Sequence, residues 1–255
     1  MHYDRHCSEI LIQTELLATE IKGADLRAPV PSCPGWTLGR LLRHIGGGHR
    51  WIEETVRTRA TEFIPDDRIR QTEGDDSGEA PSDWLVDGAA RLAETLRQAG
   101  PDVRVAMQHG LEAPTAFFAR RFTHETLVHR ADALLAAGRE FTAGPDIVLD
   151  AVDEWMELDA LPFHLEYKPR KRELLGHGRS LTFEATDFEA VWFVDLGGDV
   201  ITWSRGRRAA SVVVRASLTD LLLAIYRRKP FGEPGIDVEG DVALLDDWQR
   251  DIGFG

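Results

Sequence analysis

The spacing of the apolar residues changes once along this chain of 255 residues, and that change limits the folds open to it. Up to about Leu161, apolar residues recur with the spacing of amphipathic helices, whereas from Ser180 onward apolar and polar residues alternate as in strands. The two patterns meet near the basic stretch 168–172, whose composition is typical of a solvated linker. We therefore predict an α+β protein with an N-terminal helical domain over residues 1–167 and a smaller C-terminal α+β domain over residues 168–255.

Five helices are predicted in the N-terminal domain, and helices of this length suggest an antiparallel bundle. They cover about 8–23, 38–59, 82–98, 114–137 and 145–161. Thr37 suits the N-cap of the second helix, and the glycines 46–48 within it favour close approach of another backbone or of a bulky ligand. The polar segment 61–83 predicts a long surface loop, and 102–111 is ambiguous but could be extended.

The C-terminal domain is predicted to begin with four strands and to end with helices around a fifth strand. The strands fall near 181–185, 190–195, 200–203 and 211–215. The Gly-Gly-Asp sequence at 197–199 predicts a hairpin between the second strand and the third. A helix over 218–228, a short strand over 236–240 and a helix over 241–251 complete the pattern.

Charge and cysteine content exclude several classes of partner. The formal net charge is -13 and the pI is about 5.1, which argues against nucleic acid and against an anionic membrane surface, because both attract clustered positive charge. Cys7 and Cys33 cannot form a disulfide framework. The N-terminus lacks the features of a signal peptide, and no apolar run approaches the ~18 residues of a membrane span. We expect a cytoplasmic protein, and the oligomeric state stays open.

Glu125 and His129 form the clearest candidate functional pair. They lie on the fourth predicted helix, where at about 100° per residue they differ by about 40° around the axis and so face the same way. A carboxylate and an imidazole in this arrangement can chelate a divalent metal, often zinc. The alternative is an ion pair on a solvated helix face.

A third ligand could come from the second helix, which carries two histidines. His44 and His49 are separated by about 140° around the helix axis, so one face cannot present both. The apolar stripe of that helix favours His49 as the inward residue, since His49 lies near its middle.

A family resemblance favours the other histidine. The segment 34–44, Pro-Gly-Trp-Thr-Leu-Gly-Arg-Leu-Leu-Arg-His, resembles the mycothiol-dependent maleylpyruvate isomerase family of the DinB-like metal-binding superfamily. That family has a metal-binding histidine eight residues after the tryptophan, which implies His44, and a later Glu-x-x-x-His pair, which Glu125 and His129 match. Asp132 matches a common family aspartate, and 216–230 and 238–245 resemble the C-terminal domain. The resemblance implies a DinB-like antiparallel four-helix bundle with His44, Glu125 and His129 as metal ligands.

The resemblance also implies a reaction. In this family the metal, here expected to be zinc, holds the thiolate of mycothiol, and a basic residue near the end of a C-terminal helix takes part in catalysis. By spacing that residue is Arg228, with Arg227 as its neighbour, and the alternative is that both simply complement the helix dipole. Addition of the thiolate to an activated double bond, rotation and elimination then isomerise a maleylpyruvate-like substrate. The expected partners are thus a small-molecule thiol and a small electrophilic substrate.

Other functions and roles remain open from the sequence. The chain could be a thiol S-transferase acting on another substrate, or a non-catalytic protein that binds a metal or a small molecule. Asp132 could orient a histidine ligand or be a solvated helix charge, and Cys33 is expected to be a small packing residue. For Arg50, Trp51 and Arg130, surface ion pairs or core packing are favoured over a place in the pocket.

Overall fold

The computed structural model describes residues 1–65 and 82–250, so most of the predicted loop at 61–83 lies outside the described residues. The chain divides into two compact units, Met1–Phe141 and Thr142–Gly255. The predicted domain boundary, between residues 167 and 168, lies two helices further along the chain, after Pro145–Asp159 and Pro162–Tyr167. The predicted α+β class, with a helical N-terminal part, is confirmed.

Four helices form the framework of the first unit. They are α1 (Tyr3–Glu20), α2 (Leu38–Arg57), α3 (Ser82–Ala99) and α4 (Thr115–Ala136). Both α1 and α2 pack against α3 and α4. Thr37 caps α2 as predicted, because its hydroxyl accepts a hydrogen bond from the backbone N–H of Arg40 at 3.2 Å.

Two groups of buried apolar side chains hold these helices together. One group contains Ile10, Ile52, Leu92 and Phe118, and the other contains Leu17, Leu41, Ile45 and Leu85. Because each group draws on several helices, burial of these side chains fixes the faces that α2 and α4 turn inward.

The interface between α2 and α3 explains the first of the three glycines in α2. A Cβ at Gly46 would overlap the ring of Trp84, and a Cβ at Gly88 would overlap the guanidinium of Arg50. Arg50 lies 3.9 Å from the centre of the Trp84 ring and donates to the Trp84 carbonyl at 2.8 Å. Gly46 therefore admits a tryptophan side chain, where we had expected another backbone or a ligand.

Gly46→Ala is expected to lower the free energy of unfolding by about 1–3 kcal/mol, although alanine is favoured over glycine in a helix by ~1 kcal/mol. The loss arises because the new methyl group must displace the Trp84 ring. Urea unfolding of the two proteins measures it. In a Trp84→Leu background the same substitution should be neutral or stabilising, and an equal loss in both backgrounds would contradict this explanation.

The ambiguous segment after α3 is a small hairpin. Strands β1 (Arg104–Ala106) and β2 (Glu112–Pro114) pair in antiparallel fashion, with Val105 opposite Ala113. A 3₁₀ turn at Gln108–Gly110 joins them, and its central residue, His109, has φ +61°. The hairpin leads directly into α4.

The second unit is built around a five-stranded sheet. The strands are β3 (Ser180–Ala185), β4 (Val191–Asp195), β5 (Thr202–Arg205), β6 (Val212–Ala216) and β7 (Ile236–Gly240). Their order is β5-β4-β3-β6-β7, and every pair is antiparallel except β3 and β6. All five predicted strands and the hairpin near 197–199 are confirmed.

Helices accompany this sheet in the second unit. They are α5 (Pro145–Asp159), α6 (Pro162–Tyr167), α7 (Leu218–Ile225) and α8 (Val242–Arg250), with a 3₁₀ turn at Pro169–Leu174. α7 packs against α5, β3 and β6. No helix among residues 1–65 and 82–250 is long and apolar enough to cross a membrane.

The basic stretch 168–172 is not the solvated linker that its composition suggested. It forms much of the 3₁₀ turn, and Lys171 is buried with its ammonium paired to the carboxylate of Asp159. The same ammonium donates to the backbone carbonyl of Asp159 at 3.2 Å. A buried lysine needs such a partner, because an isolated charge in the interior is costly.

Candidate metal centre

One face of α4 carries four polar residues in a line. Arg121, Glu125, His129 and Asp132 are spaced by four, four and three residues, which places them on one side of a helix. They are linked in order: the Arg121 guanidinium lies 3.3 Å from Glu125 Oε2, Glu125 Oε1 lies 3.0 Å from His129 Nε2, and His129 Nδ1 lies 2.7 Å from Asp132 Oδ2.

α2 contributes the third member of the predicted ligand set. His44 Nε2 lies 3.4 Å from Glu125 Oε1, the same oxygen that faces His129. One donor atom each from His44, Glu125 and His129 can be chosen so that all three lie within 4.8 Å of one another. The structure thus brings together the three residues that the family resemblance selected, although Glu125 and His44 are 81 positions apart in the sequence.

The exposure of the three side chains suits a site that a small molecule can reach. The side chain of His129 is 8% exposed, that of His44 is 23% exposed and that of Glu125 is 34% exposed. The site is therefore anchored in the helical core but open on one side. A catalytic metal site has this character, because one position must accept substrate.

The charges at the site favour an ion pair between Glu125 and His129 in the metal-free protein. Burial opposes the charged form of Glu125, but His129, His44 and Arg121 outweigh it and hold the pKa of this carboxyl well below its usual range. Burial likewise opposes the charged form of His129, but the Glu125 carboxylate and the hydrogen bond to Asp132 raise the pKa of His129 to about 9. A metal and a proton therefore compete for His129 Nε2 at neutral pH.

Asp132 is placed to orient His129, as one of its two predicted roles required. Its side chain is fully buried, and its Oδ2 accepts a hydrogen bond from His129 Nδ1. With Nδ1 held by Asp132, Nε2 faces Glu125 and His44. A carboxylate in this position fixes the ring and the tautomer of a metal-binding histidine.

His49 is the inward histidine of α2, as its apolar stripe predicted, but it lies apart from the predicted ligand set. It is 1% exposed, and its Nε2 lies 2.9 Å from the hydroxyl of Thr126. That hydroxyl donates to the carbonyl of Phe122 at 2.7 Å, so Nε2 of His49 is the donor to Thr126. His49 is thus a buried neutral histidine, and the half-buried His44 is the one that meets Glu125.

Protonation of His49 is expected to destabilise the protein in mild acid. Burial, with the nearby charge of Arg50, lowers the pKa of His49 to about 3, whereas a histidine in the unfolded chain has a pKa near 6.5. The unfolded chain binds one more proton between these values, so stability falls as pH drops below about 6.5. This residue alone should remove about 2 kcal/mol between pH 7 and pH 5.

Urea unfolding at the two pH values, with wild type and His49→Gln, tests this contribution. The variant keeps an N–H donor for Thr126 but has no group that titrates in this range. Its loss of stability between pH 7 and pH 5 should be smaller than that of the wild type by about 2 kcal/mol. Equal losses in the two proteins would show that His49 is not the titrating group.

Cys33 and Arg130 have mainly structural surroundings. Cys33 is partly buried and packs against the apolar group that contains Leu17 and Leu41. Its Sγ lies 3.9 Å from Asp132 Oδ2. Arg130 is 2% exposed and pairs with Glu20 at 2.7 Å. A surface ion pair or core packing was expected for Arg130. Its guanidinium is buried, because Arg130 lies on the side of α4 that packs on α1, and its partner Glu20 is partly exposed.

Arg227 and Arg228 differ in their surroundings within the second unit. Arg227 is exposed and has φ +66°, in a turn that ends α7 with a hydrogen bond from the Arg228 N–H to the Leu223 carbonyl. Arg228 is half-buried, and its guanidinium donates to the carbonyl of Tyr226 at 2.6 Å. The two arginines are therefore not equivalent, and Arg228 is the more restrained.

Three residues near the site were given no functional role from the sequence, although Trp36 was part of the family motif. Arg121 contacts Glu125, Trp36 lies against His44 with 5.0 Å between ring centres, and the Ser32 hydroxyl lies 2.5 Å from Asp132 Oδ1. Arg121 could have been found from its spacing of four residues before Glu125. Nothing local in the sequence connects Ser32 to Asp132, which lies 100 positions away.

The donor set fits a divalent metal. Two imidazole nitrogens and one carboxylate oxygen are the ligands of several catalytic zinc sites, which leave a further position for water or substrate. Both Nε2 atoms already face the same carboxylate oxygen, and the Asp132 carboxylate supports one of the histidines. The fold and the donor set together define a protein with a helical unit that presents a candidate metal centre and a second, α+β unit.

Family models match both the helical unit and the α+β unit of this chain. Residues 7–134 match the family model described as the mycothiol maleylpyruvate isomerase N-terminal domain, and residues 118–247 match the model of the C-terminal domain of the same family. The two matches overlap on α4. The chain belongs to the mycothiol maleylpyruvate isomerase family.

Solved structures agree on the fold. A crystal structure of the mycothiol-dependent maleylpyruvate isomerase is similar with a TM-score of 0.62 and 15% identity, over 94% of this chain and 93% of that chain. A histidine-to-alanine mutant of that isomerase gives a TM-score of 0.60 and 14% identity over the same shares. At this identity the likeness shows the fold alone. A search of curated proteins finds no match.

Proposed function

We propose that this protein is an enzyme that binds a divalent metal, with zinc as the expected ion, and uses mycothiol as its thiol cosubstrate. The convergence of His44, Glu125 and His129 on one point carries the proposal. The membership of both halves of the chain in the mycothiol maleylpyruvate isomerase family supplies the class of reaction. The reaction we propose is thiol-assisted isomerisation of a maleylpyruvate-like substrate.

Each residue of the site would have a distinct role in binding or orienting the metal ligands. His44, Glu125 and His129 would hold the metal. A divalent cation bound there would lower the pKa of a coordinated thiol and so supply its thiolate at neutral pH. Asp132 would keep a proton on His129 Nδ1 and so reserve Nε2 for the metal. Arg121 would hold the second oxygen of Glu125, which leaves the first oxygen directed at the two histidines.

Because the chain as a whole is negatively charged, binding of an anionic substrate requires positive charge at the site itself. With a formal net charge of -13, the protein as a whole repels anions. A metal at the site, with Arg121 3.3 Å from Glu125, would provide the local positive charge that an anionic substrate needs. We further propose that Arg228 stabilises negative charge that develops on the substrate, and that the protein works in the cytoplasm.

Metal analysis combined with thiol titration tests this function. We expect the purified protein to hold close to one divalent metal per chain and to bind mycothiol saturably in isothermal titration. Removal of the metal with a chelator should abolish thiol binding, and reloading with zinc should restore it. Cysteine serves as the matched control thiol, since it offers the same sulfur without the sugar portion of mycothiol.

The results separate the alternatives. Isomerisation of maleylpyruvate by the zinc-loaded protein with mycothiol supports the proposal. Metal-dependent thiol binding without isomerisation would indicate a thiol S-transferase acting on another substrate. Failure of any thiol to bind the metal-loaded protein would overturn the thiol mechanism and leave a metal-binding or small-molecule-binding protein.

A further inference from the structure

The loop of residues 29–37, which precedes α2 and is called the 29–37 loop below, lies close to both predicted metal-binding histidines. It contacts His44 itself and the Asp132 carboxylate that holds His129. Pro29 pairs with Thr37 in an isolated bridge, and the N–H of Val30 donates to the carbonyl of Trp36 at 3.0 Å. Gly35 has φ +82°, which allows the chain to turn back on itself. These closures leave the loop few conformations.

The loop reaches His129 through Asp132. The hydroxyl of Ser32 lies 2.5 Å from Asp132 Oδ1, and Cys33 Sγ lies 3.9 Å from Asp132 Oδ2. A carboxylate accepts hydrogen bonds, so both loop residues are donors to it. Asp132 is fully buried, and its Oδ2 lies 2.7 Å from His129 Nδ1. The Ser32 hydroxyl thus fixes the carboxylate that in turn fixes the imidazole.

The same loop reaches His44 through Trp36. The two rings meet edge to face, with 5.0 Å between their centres and an interplanar angle of 68°. The guanidinium of Arg40 lies 4.8 Å from the centre of the Trp36 ring, so Trp36 is itself held in place. The rings of His44 and His129 meet each other at 5.0 Å and 90°. Movement of Trp36 would therefore alter the direction of His44.

We propose that the 29–37 loop positions both metal-binding histidines, with Ser32 and Trp36 as its positioning residues. The inference rests on the proposed metal site and extends it to a segment outside the proposed ligand set of His44, Glu125 and His129. The two histidines come from different helices, α2 and α4. The loop contacts His44 directly through Trp36 and contacts His129 indirectly through Asp132, so its conformation influences how the two rings are oriented toward each other. Such outer contacts commonly decide how tightly a metal is held.

A second metal position explains these contacts less well. Cys33, His129 and Asp132 each offer an atom within 4.8 Å of the others. However, the Asp132 carboxylate already lies 2.7 Å from His129 Nδ1, and this contact directs Nε2 toward Glu125 and His44. A positioning role for the loop is compatible with all of these contacts, because the Asp132 carboxylate keeps its hydrogen bonds to Ser32, Cys33 and His129.

Metal affinity and the absorption spectrum of bound cobalt test the positioning role. Both are measured on the full chain by competition with a chelating indicator and by titration with Co²⁺, whose visible bands report ligand geometry. Ser32→Ala is expected to weaken binding of Zn²⁺ about tenfold and to shift the cobalt bands, since loss of an outer partner typically costs about 10–100-fold. Ser32→Thr keeps the hydroxyl and should retain the wild-type affinity and spectrum.

Two further variants make the test specific. Ser8→Ala removes another half-buried hydroxyl of the same unit, one that accepts from Arg97 at 2.9 Å, and should leave metal affinity unchanged. Trp36→Leu removes the ring against His44 and should weaken zinc and alter the cobalt bands as Ser32→Ala does. Urea unfolding of the metal-free variants shows whether each is folded before it is titrated.

The outcomes distinguish this inference from the function on which it rests. If the wild-type protein binds neither zinc nor cobalt, the metal site and the positioning role both fail. If the wild type binds metal but folded Ser32→Ala binds it equally well with the same spectrum, only the positioning role fails. Equal weakening in Ser32→Thr and Ser32→Ala would also overturn it, because the hydroxyl would then not be the cause.

Discussion

His129→Ala is expected to abolish metal binding and activity together. The substitution removes Nε2, which lies 3.0 Å from Glu125 Oε1, and leaves His44 and Glu125 as the only two members of the proposed ligand set. Because loss of an outer partner already costs about 10–100-fold in affinity, loss of a ligand should cost more than about 100-fold. Metal content after dialysis and turnover of maleylpyruvate with mycothiol measure the two effects.

The fold should survive this change. Without His129, the Asp132 carboxylate keeps Ser32 and Cys33, and Glu125 keeps His44 and Arg121. Glu125→Gln, which preserves shape but removes the negative charge, should show the same loss of metal. His49→Gln is the matched control, since it alters a buried histidine of α2 that faces Thr126, and it should keep its metal. Retention of tightly bound metal by His129→Ala would refute the ligand assignment.

Arg228→Ala is expected to slow turnover by about 10²–10³-fold while metal and mycothiol remain bound. The proposed reason is that a guanidinium stabilises the negative charge that develops on the substrate, whereas the thiolate itself needs only the metal. Steady-state kinetics should show the loss in kcat, and isothermal titration should show unchanged binding of mycothiol. The prediction separates the role proposed for Arg228 from that of the proposed metal ligands.

Two arginine variants control for charge and for position. Arg228→Lys keeps the charge and should recover part of the lost rate, although lysine lacks the planar set of donors. Arg227→Gly removes the neighbouring charge at a position with φ +66°, which glycine adopts easily, and should keep the wild-type rate. A loss of rate in Arg227→Gly with none in Arg228→Ala would transfer the proposed role to Arg227.

Local sequence signals determined the elements of this protein well. The cap at Thr37, the helical run that ends at Ala136 and the spacing of Glu125 and His129 depend on neighbours within about one turn of helix, so they can be read without the fold. The alternating strands after Ser180 follow from the same kind of short-range pattern. The α+β class was therefore predictable, as was one half of the candidate metal centre.

The choice between His44 and His49 needed information from beyond the helix itself. The apolar stripe of α2 correctly indicated that His49 points inward, and the structure buries it against Thr126. Only the packing of α2 on α4 shows that the partly exposed His44 lies next to Glu125, with 3.4 Å between His44 Nε2 and Glu125 Oε1. The family resemblance indicated His44 because a family motif reflects which residues meet in the folded protein.

Contacts between residues far apart in the sequence were decided by tertiary structure alone. Ser32 and Asp132 meet across 100 positions, the ring of Trp84 fills the space that Gly46 leaves, and β3 pairs in parallel with β6 although every other pair in that sheet is antiparallel. The burial of Lys171 against Asp159 also contradicted the composition of its segment. Such contacts depend on how whole elements pack to bury apolar surface, whereas the periodicity of a sequence specifies only which face of each element is to be buried.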